Sequence, residues 1–117
     1  MEKMESGDIK CLPKMFALIY ITTSSEEESC SIGEKLVEER LVACANIIKE
    51  IKSFYWWEGN LEKDQESVLV VKTLASKIDD IIRRVKELHS YENPCVVAFP
   101  IIAGSREYLD WLEREVE

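Results

Sequence analysis

The chain has 117 residues, 46% of them hydrophobic and 32% charged, with 23 acids against 15 bases and a formal net charge of −8. That length suits one domain with its own core, and the acidic balance excludes a nucleic-acid backbone as partner, because phosphate binding needs a concentrated basic surface. No apolar run approaches the roughly 20 residues that span a bilayer, so no membrane partner is expected.

Residues 1–14, "MEKMESGDIKCLPK", are charged and lack an apolar stretch. They read as a flexible leader rather than a signal peptide, followed by a single domain over 15–117. Met15 to Thr22 is a short apolar run with β-branched and aromatic members, hence a buried strand. Ser25 stands three residues before Glu28, a capping-box spacing, and the helix that follows carries Ile32, Gly33, Leu36, Val37 and Leu41 near a 3.6-residue period. Leu41 to Trp57 returns to strand character, Glu58-Gly59-Asn60 is a turn signal, and Leu61 to Thr73 runs back as the second strand of a long hairpin. Ser76 precedes Asp79 at capping-box spacing, and Ile78, Ile81, Ile82, Val85 and Leu88 then give the cleanest helical period in the chain. Cys95 to Ile102 is a continuous apolar strand in which Pro100 marks an edge or bulge, and Gly104-Ser105 opens a last short helix with Tyr108, Leu109, Leu112 and Val116.

The order β-α-β-β-α-β plus a terminal helix predicts an α+β fold of the ferredoxin-like type, an antiparallel sheet with both long helices on one face. Such a sheet leaves its other face bare, and here that face is not polar. Successive strand residues point to opposite sides, so Phe54 and Trp56 cover one face while Tyr55 and Trp57 cover the other. An uncovered patch of this kind is unusual on a monomer. Another copy of the chain is the expected cover, with Phe54, Tyr55 and Trp56 at the interface; the alternative is the last helix folding over the bare face.

The four cysteines, Cys11, Cys30, Cys44 and Cys95, contain no CxxC pair. Reduced thiols in a cytoplasmic compartment are therefore expected.

Several spaced motifs resemble CutA, the divalent-cation tolerance protein family. They are R-L-x-A-C-x-N at Arg40 to Asn46, Y-W-W-E-G at Tyr55 to Gly59, K-T at Lys72-Thr73, H-x-Y-E-x-P at His89 to Pro94 and Y-L-x-W at Tyr108 to Trp111. The resemblance covers Met15 to about Glu115. It implies a compact trimer of ferredoxin-like subunits, similar to PII signalling proteins that bind small effectors between subunits. It also implies an association with divalent metals and brings no established catalytic activity.

His89, the only histidine, is a candidate metal ligand through neutral imidazole, together with Cys44 and Glu92. The alternative reading makes His89 a helix-terminal residue bonding last-turn carbonyls and Cys44 a small buried hydrophobe. Some bacterial members of the family carry a cysteine and a second histidine where this chain has Ile21 and Leu88, so any site at His89 is expected to be differently composed. Lys72, inside an apolar strand, needs a partner, for which Glu66, Glu92 or a bound anionic ligand are the candidates, with a structural ion pair at a subunit boundary as the alternative. With Tyr91, Trp57 and Glu58 it outlines a candidate ligand cleft. Glu58, Glu62, Asp64 and Glu66 surround the hairpin without an EF-hand spacing, and read as a solvated face.

No Gly-rich phosphate loop or HExxH is present, and no enzyme is expected. The expectation is a cytoplasmic homotrimer that binds divalent metal, copper or zinc; a PII-like small-molecule sensor and a ligand-free trimeric scaffold are the alternatives.

Overall fold

The computed structural model describes the backbone of residues 9–117 and the side chains from Phe16 onward. Four strands and three α-helices follow in the order β1 (Ile9–Thr23), α1 (Glu26–Glu38), β2 (Cys44–Trp57), β3 (Asn60–Leu74), α2 (Ile78–Leu88), β4 (Val96–Ser105) and α3 (Arg106–Glu115). The strands form one antiparallel sheet in the order β2-β3-β1-β4, the ferredoxin-like arrangement expected from the sequence.

β1 begins earlier than the apolar run predicts. Residues 9–14, part of the expected leader, belong to the strand: Ile9, Lys10 and Cys11 pair with Ser105, Gly104 and Ala103. Main-chain pairing along the extended β4 edge needs no apolar side chain, so hydropathy does not reveal it. Pro13, which cannot donate, falls in the register shift between Cys11 and Phe16. The remainder of the leader, residues 1–8, lies outside the described residues.

Helix α1 starts as the capping spacing predicts, with Ser25 Oγ accepting from the Glu28 amide at 3.1 Å. The reciprocal half differs, because Glu28 Oε1 takes the amide of Ser24 at 2.9 Å. Ser76 does not cap α2. It lies in a 3₁₀ turn over Ala75–Lys77, and α2 has no side-chain cap. Ile32, Leu36, Ile81 and Val85 pack against Ile19, Ile21, Leu69 and Val71 to form the main core between the helices and one sheet face. Gly33 permits that approach: a Cβ there would stand 2.9 Å from Leu69 Cδ1 and 3.2 Å from Ala45 Cβ.

The opposite face is covered at one end only. Leu109 and Leu112 of α3, with Val116, pack on Phe16, Leu74 and Ile101. Ser105 caps this helix by accepting from the Tyr108 amide. The hairpin end of this face has no such cover, and Tyr55 and Trp57 there are 38% and 41% exposed. The terminal helix therefore covers part of the bare face and leaves the aromatic run open. Glu58 and Gly59, with φ of 51° and 84°, form the two-residue turn at the hairpin tip.

Candidate functional site

A bulge sets the face on which the hairpin aromatics lie. β2 is in register with β3 as far as Ile48↔Val68, and the pairing resumes at Ile51↔Glu66, so β2 carries one extra residue. Beyond that point Ile51, Ser53, Tyr55 and Trp57 share a face with Glu66, Asp64, Glu62 and Asn60, because directly paired residues project to the same side. This face continues the bare side of the sheet, while Lys52, Phe54 and Trp56 project from the other. The alternation of Phe54 and Trp56 against Tyr55 and Trp57 is as the strand period predicts.

At the foot of the hairpin lies a groove of about 800 Å³, lined by residues of Ile51–Trp57, by Tyr20, Thr22 and Glu66, and by Tyr91, Glu92, Asn93 and Cys95 of the connection between α2 and β4. Its polar groups are tightly organised. The Tyr91 hydroxyl donates to Glu66 Oε2 at 2.8 Å, and the Tyr55 hydroxyl donates to Asp64 Oδ2. Burial, and then the bond to Glu66, pushes the Tyr91 phenol well above its ordinary value. The bond to Asp64 pushes Tyr55 up to about 12. Both hydroxyls thus remain protonated donors at neutral pH, committed to carboxylates.

His89 stands behind this groove as the residue after the last turn of α2. Its amide donates to the Val85 carbonyl, and its side chain has no exposed surface. Nε2 lies 2.7 Å from the Thr22 carbonyl oxygen, and Nδ1 lies 3.0 Å from the Tyr91 amide nitrogen. A carbonyl only accepts and an amide N–H only donates, so the ring is neutral with its proton on Nε2. Neither nitrogen has a lone pair left for a metal. The ring instead packs on Tyr91, with centroids 4.8 Å apart. The Glu28 carboxylate steadies the same connection by accepting from the Ser90 amide at 2.7 Å and the Ser90 hydroxyl at 3.1 Å. Burial raises the Glu28 pKa, but the bonds from Ser24 and Ser90 outweigh it and hold the group below its ordinary value.

The candidate residues divide into separate places. Tyr91, Trp57 and Glu92 line the groove, as does Tyr55. Lys72 does not. Its Nζ lies 3.2 Å from Asn46 Oδ1, 3.7 Å from Cys44 Sγ and 5.8 Å from the centre of the Tyr108 ring, so its partners are neutral groups rather than Glu66 or Glu92. Cys44 pairs across the ladder with Lys72 and approaches the Tyr108 hydroxyl at 3.5 Å. Burial, and then the bond with Cys44, raises the Tyr108 pKa despite the opposing effect of Lys72. Glu58 sits in the hairpin turn outside the groove lining. Among the described residues no three His, Cys, Asp or Glu side chains gather as a metal site, so His89, Cys44 and Glu92 do not form a centre within one chain. A three-ligand copper or zinc site built on His89 does not fit these residues.

Sequence patterns did not reveal the Glu28–Ser90 bonds or the place of Tyr108 beside Lys72. The capping box at Ser25 pointed to Glu28 only as a local cap, and the Y-L-x-W motif contained Tyr108 without naming its neighbour.

Comparison with known proteins agrees with the fold. A family model described as CutA1 divalent ion tolerance protein matches residues 17–115. A curated relative, the divalent-cation tolerance protein CutA of Archaeoglobus fulgidus, is 46% identical over 103 residues, spanning 88% of this chain and 100% of that protein. The protein of the same name from Thermus thermophilus is 48% identical over 98 residues, spanning 84% of this chain and 95% of its own. A solved structure of the divalent cation tolerance protein (Cut A1) from Thermus thermophilus superposes with a TM-score of 0.86 at 46% identity, covering 88% of this chain and 100% of that one. With its motifs in order, its sheet topology matched and its length covered, this chain belongs to the CutA1 divalent ion tolerance family.

Proposed function

We propose that the protein serves divalent-cation tolerance as a non-catalytic cytoplasmic homotrimer, binding a divalent metal ion, copper or zinc, where its subunits meet. The observation that carries this reading is the uncovered hairpin, with Phe54 and Trp56 largely exposed beside Tyr55, Trp57 and Leu61. Aromatic side chains of this size bury about 150–250 Å² each. At about 25 cal/mol per Å² a second copy of the chain is a strongly favoured cover. The names of the relatives support the divalent cation. Cys44 and Glu92 supply a soft thiol and a carboxylate for it. His89 leaves the ligand set and serves instead to position the Tyr91 connection. Cys30, Cys44 and Cys95 carry free thiols, which suits a reducing compartment.

The test combines sedimentation equilibrium with calorimetric titration of Cu²⁺ and Zn²⁺ into wild type, Cys44→Ser and Glu92→Gln. The expected result is a mass of three chains and stoichiometric binding that at least one substitution weakens ~10-fold or more. A monomer, or a trimer that takes up neither ion, overturns the reading.

A second reading, a small organic effector held in the groove as in PII-like proteins, is favoured by the groove itself. Its volume of about 800 Å³ lies within the range of small-molecule sites.

A further inference from the structure

We infer that His89 is an acid-operated latch on the connection between α2 and β4. Protonation at Nδ1 moves that nitrogen from the Tyr91 amide to the Glu28 carboxylate and releases the Tyr91 backbone. The two ring nitrogens have unequal standing. Nε2 holds the Thr22 carbonyl at 2.7 Å, a bond that neutral imidazole and imidazolium both make. Nδ1 takes the Tyr91 amide at 3.0 Å only while its lone pair is free. A proton there sets two donors against each other. The ring is fixed to β1 through Nε2, so the amide is the one that moves.

A receiver for the new N–H already stands beside it. Glu28 Oε2 lies 3.8 Å from Nδ1, with the His89 side chain fully buried and that of Glu28 13% exposed. A buried imidazolium is costly unless a counter-charge meets it. Burial raises the Glu28 pKa, but the bonds from Ser24 and Ser90 outweigh it and hold the group below its ordinary 4.5. Glu28 is therefore a carboxylate throughout the range in which an imidazole titrates. Its Oε2 accepts from the Ser90 amide at 2.7 Å and has a second lone pair to offer. Around the ring, α1 brings Glu28 and β1 brings the uncharged Thr22 carbonyl. The connection brings the Tyr91 phenol, which leads on to Glu66 of β3. Two successive amides thus tie the connection to two different groups. Ser90 N–H is held by Glu28 in either state, whereas Tyr91 N–H is held by His89 only in the neutral one. Acid turns the chain between these two residues. Every bond in the latch lies within one chain, so it does not depend on what covers the hairpin.

His89 is the only histidine, so its ring signals are unambiguous in nitrogen NMR. The full chain, isotope-labelled and kept in EDTA to exclude metals, is titrated from about pH 8 to about pH 5. Ring nitrogen shifts report protonation at Nδ1. Hydrogen-exchange protection, corrected for the intrinsic rate at each pH, reports the Ser90 and Tyr91 amides. The expected result is a ~10-fold or greater loss of Tyr91 protection along the same curve as Nδ1 protonation, with Ser90 protection retained. In Glu28→Gln, which keeps an oxygen for Ser90 but no charge, both changes are expected at a pH about one unit lower. Tyr91 protection that is unchanged while the ring protonates, or a ring that stays neutral wherever the chain is folded, overturns the latch. Loss of Ser90 protection in the same step, or a Glu28→Gln curve that matches wild type, overturns the transfer to Glu28 and the proposal with it. All but the last of these outcomes are read on wild type, so a variant that fails to fold leaves the latch decided.

Discussion

The imidazole of His89 spans two backbone groups: Nε2–H donates to the Thr22 carbonyl at 2.7 Å, and Nδ1 accepts from the Tyr91 amide at 3.0 Å. The ring thereby ties the end of β1 to the connection that carries Tyr91 into the groove. His89→Ala orphans both partners, and an unmade hydrogen bond in a buried place costs about 1–3 kcal/mol per group. The variant is expected to lose about 2–5 kcal/mol in urea unfolding, while the stoichiometry of Cu²⁺ or Zn²⁺ binding stays unchanged. Loss of stoichiometric metal binding with wild-type stability would reverse the assignment and make His89 a ligand.

Gly33→Ala sets two effects against each other. Alanine is the better helix former by about 1 kcal/mol. Its Cβ, however, would stand 2.9 Å from Leu69 Cδ1 and 3.2 Å from Ala45 Cβ, and Leu69 is fully buried. Overpacking of that kind costs about 1–3 kcal/mol, so the expected net change is a loss of about 1 kcal/mol in the unfolding free energy. A gain in stability would mean that the helix stands off the sheet more freely than these distances allow.

Phe54 and Trp56 distinguish a lone subunit from an assembly. Within one chain they are exposed, so replacing either with Ala removes little packing. Buried by a second copy, each becomes an aromatic interface anchor worth about 2 kcal/mol or more. Phe54→Ala and Trp56→Ala are expected to lower the melting temperature in a concentration-dependent way and to shift the sedimentation profile toward smaller species. Wild-type mass and melting temperature in both variants would remove the hairpin from the interface.

Glu28 introduces a pH dependence of defined sign. Its folded pKa lies below the ordinary 4.5, held there against burial by the bonds from Ser24 and Ser90. A carboxylate with a depressed folded pKa contributes stability that is complete above its unfolded value and disappears as pH falls through its folded value. Glu28→Gln should therefore melt below wild type at pH 7, and the difference should shrink as the pH drops from about 4.5. A difference that is constant with pH would show that the charge of Glu28 contributes nothing and that only its hydrogen-bond geometry matters.

Much of the fold was legible because it depends on neighbours in sequence. The 3.6-residue stripe of Ile78, Ile81, Ile82, Val85 and Leu88 became α2, Ser25 became the cap of α1, and Glu58-Gly59 became the turn of the hairpin. The Ser76 cap failed for a local reason, since a 3₁₀ turn over Ala75–Lys77 took up Ser76 itself. The start of β1 failed for a non-local one, because its first residues are held by main-chain bonds to the far end of β4.

The sequence by itself determined the order of the elements, the paired strands and the surplus of aromatic surface on the hairpin, since all three follow from short-range periodicity and composition. Only the tertiary structure decided what those residues do. One extra residue between Ile48 and Ile51 places Tyr55 and Trp57 on the same face as Glu66 and Asp64, and no local pattern reveals a register. The Thr22 carbonyl, 67 positions from His89 in the chain, occupies the nitrogen that sequence reasoning offered to a metal. Lys72 found Asn46, Cys44 and Tyr108 rather than an acid. Donors and acceptors are used up by whichever groups folding brings within about 3 Å, and that pairing is a property of the packed sheet and helices rather than of any stretch of the chain.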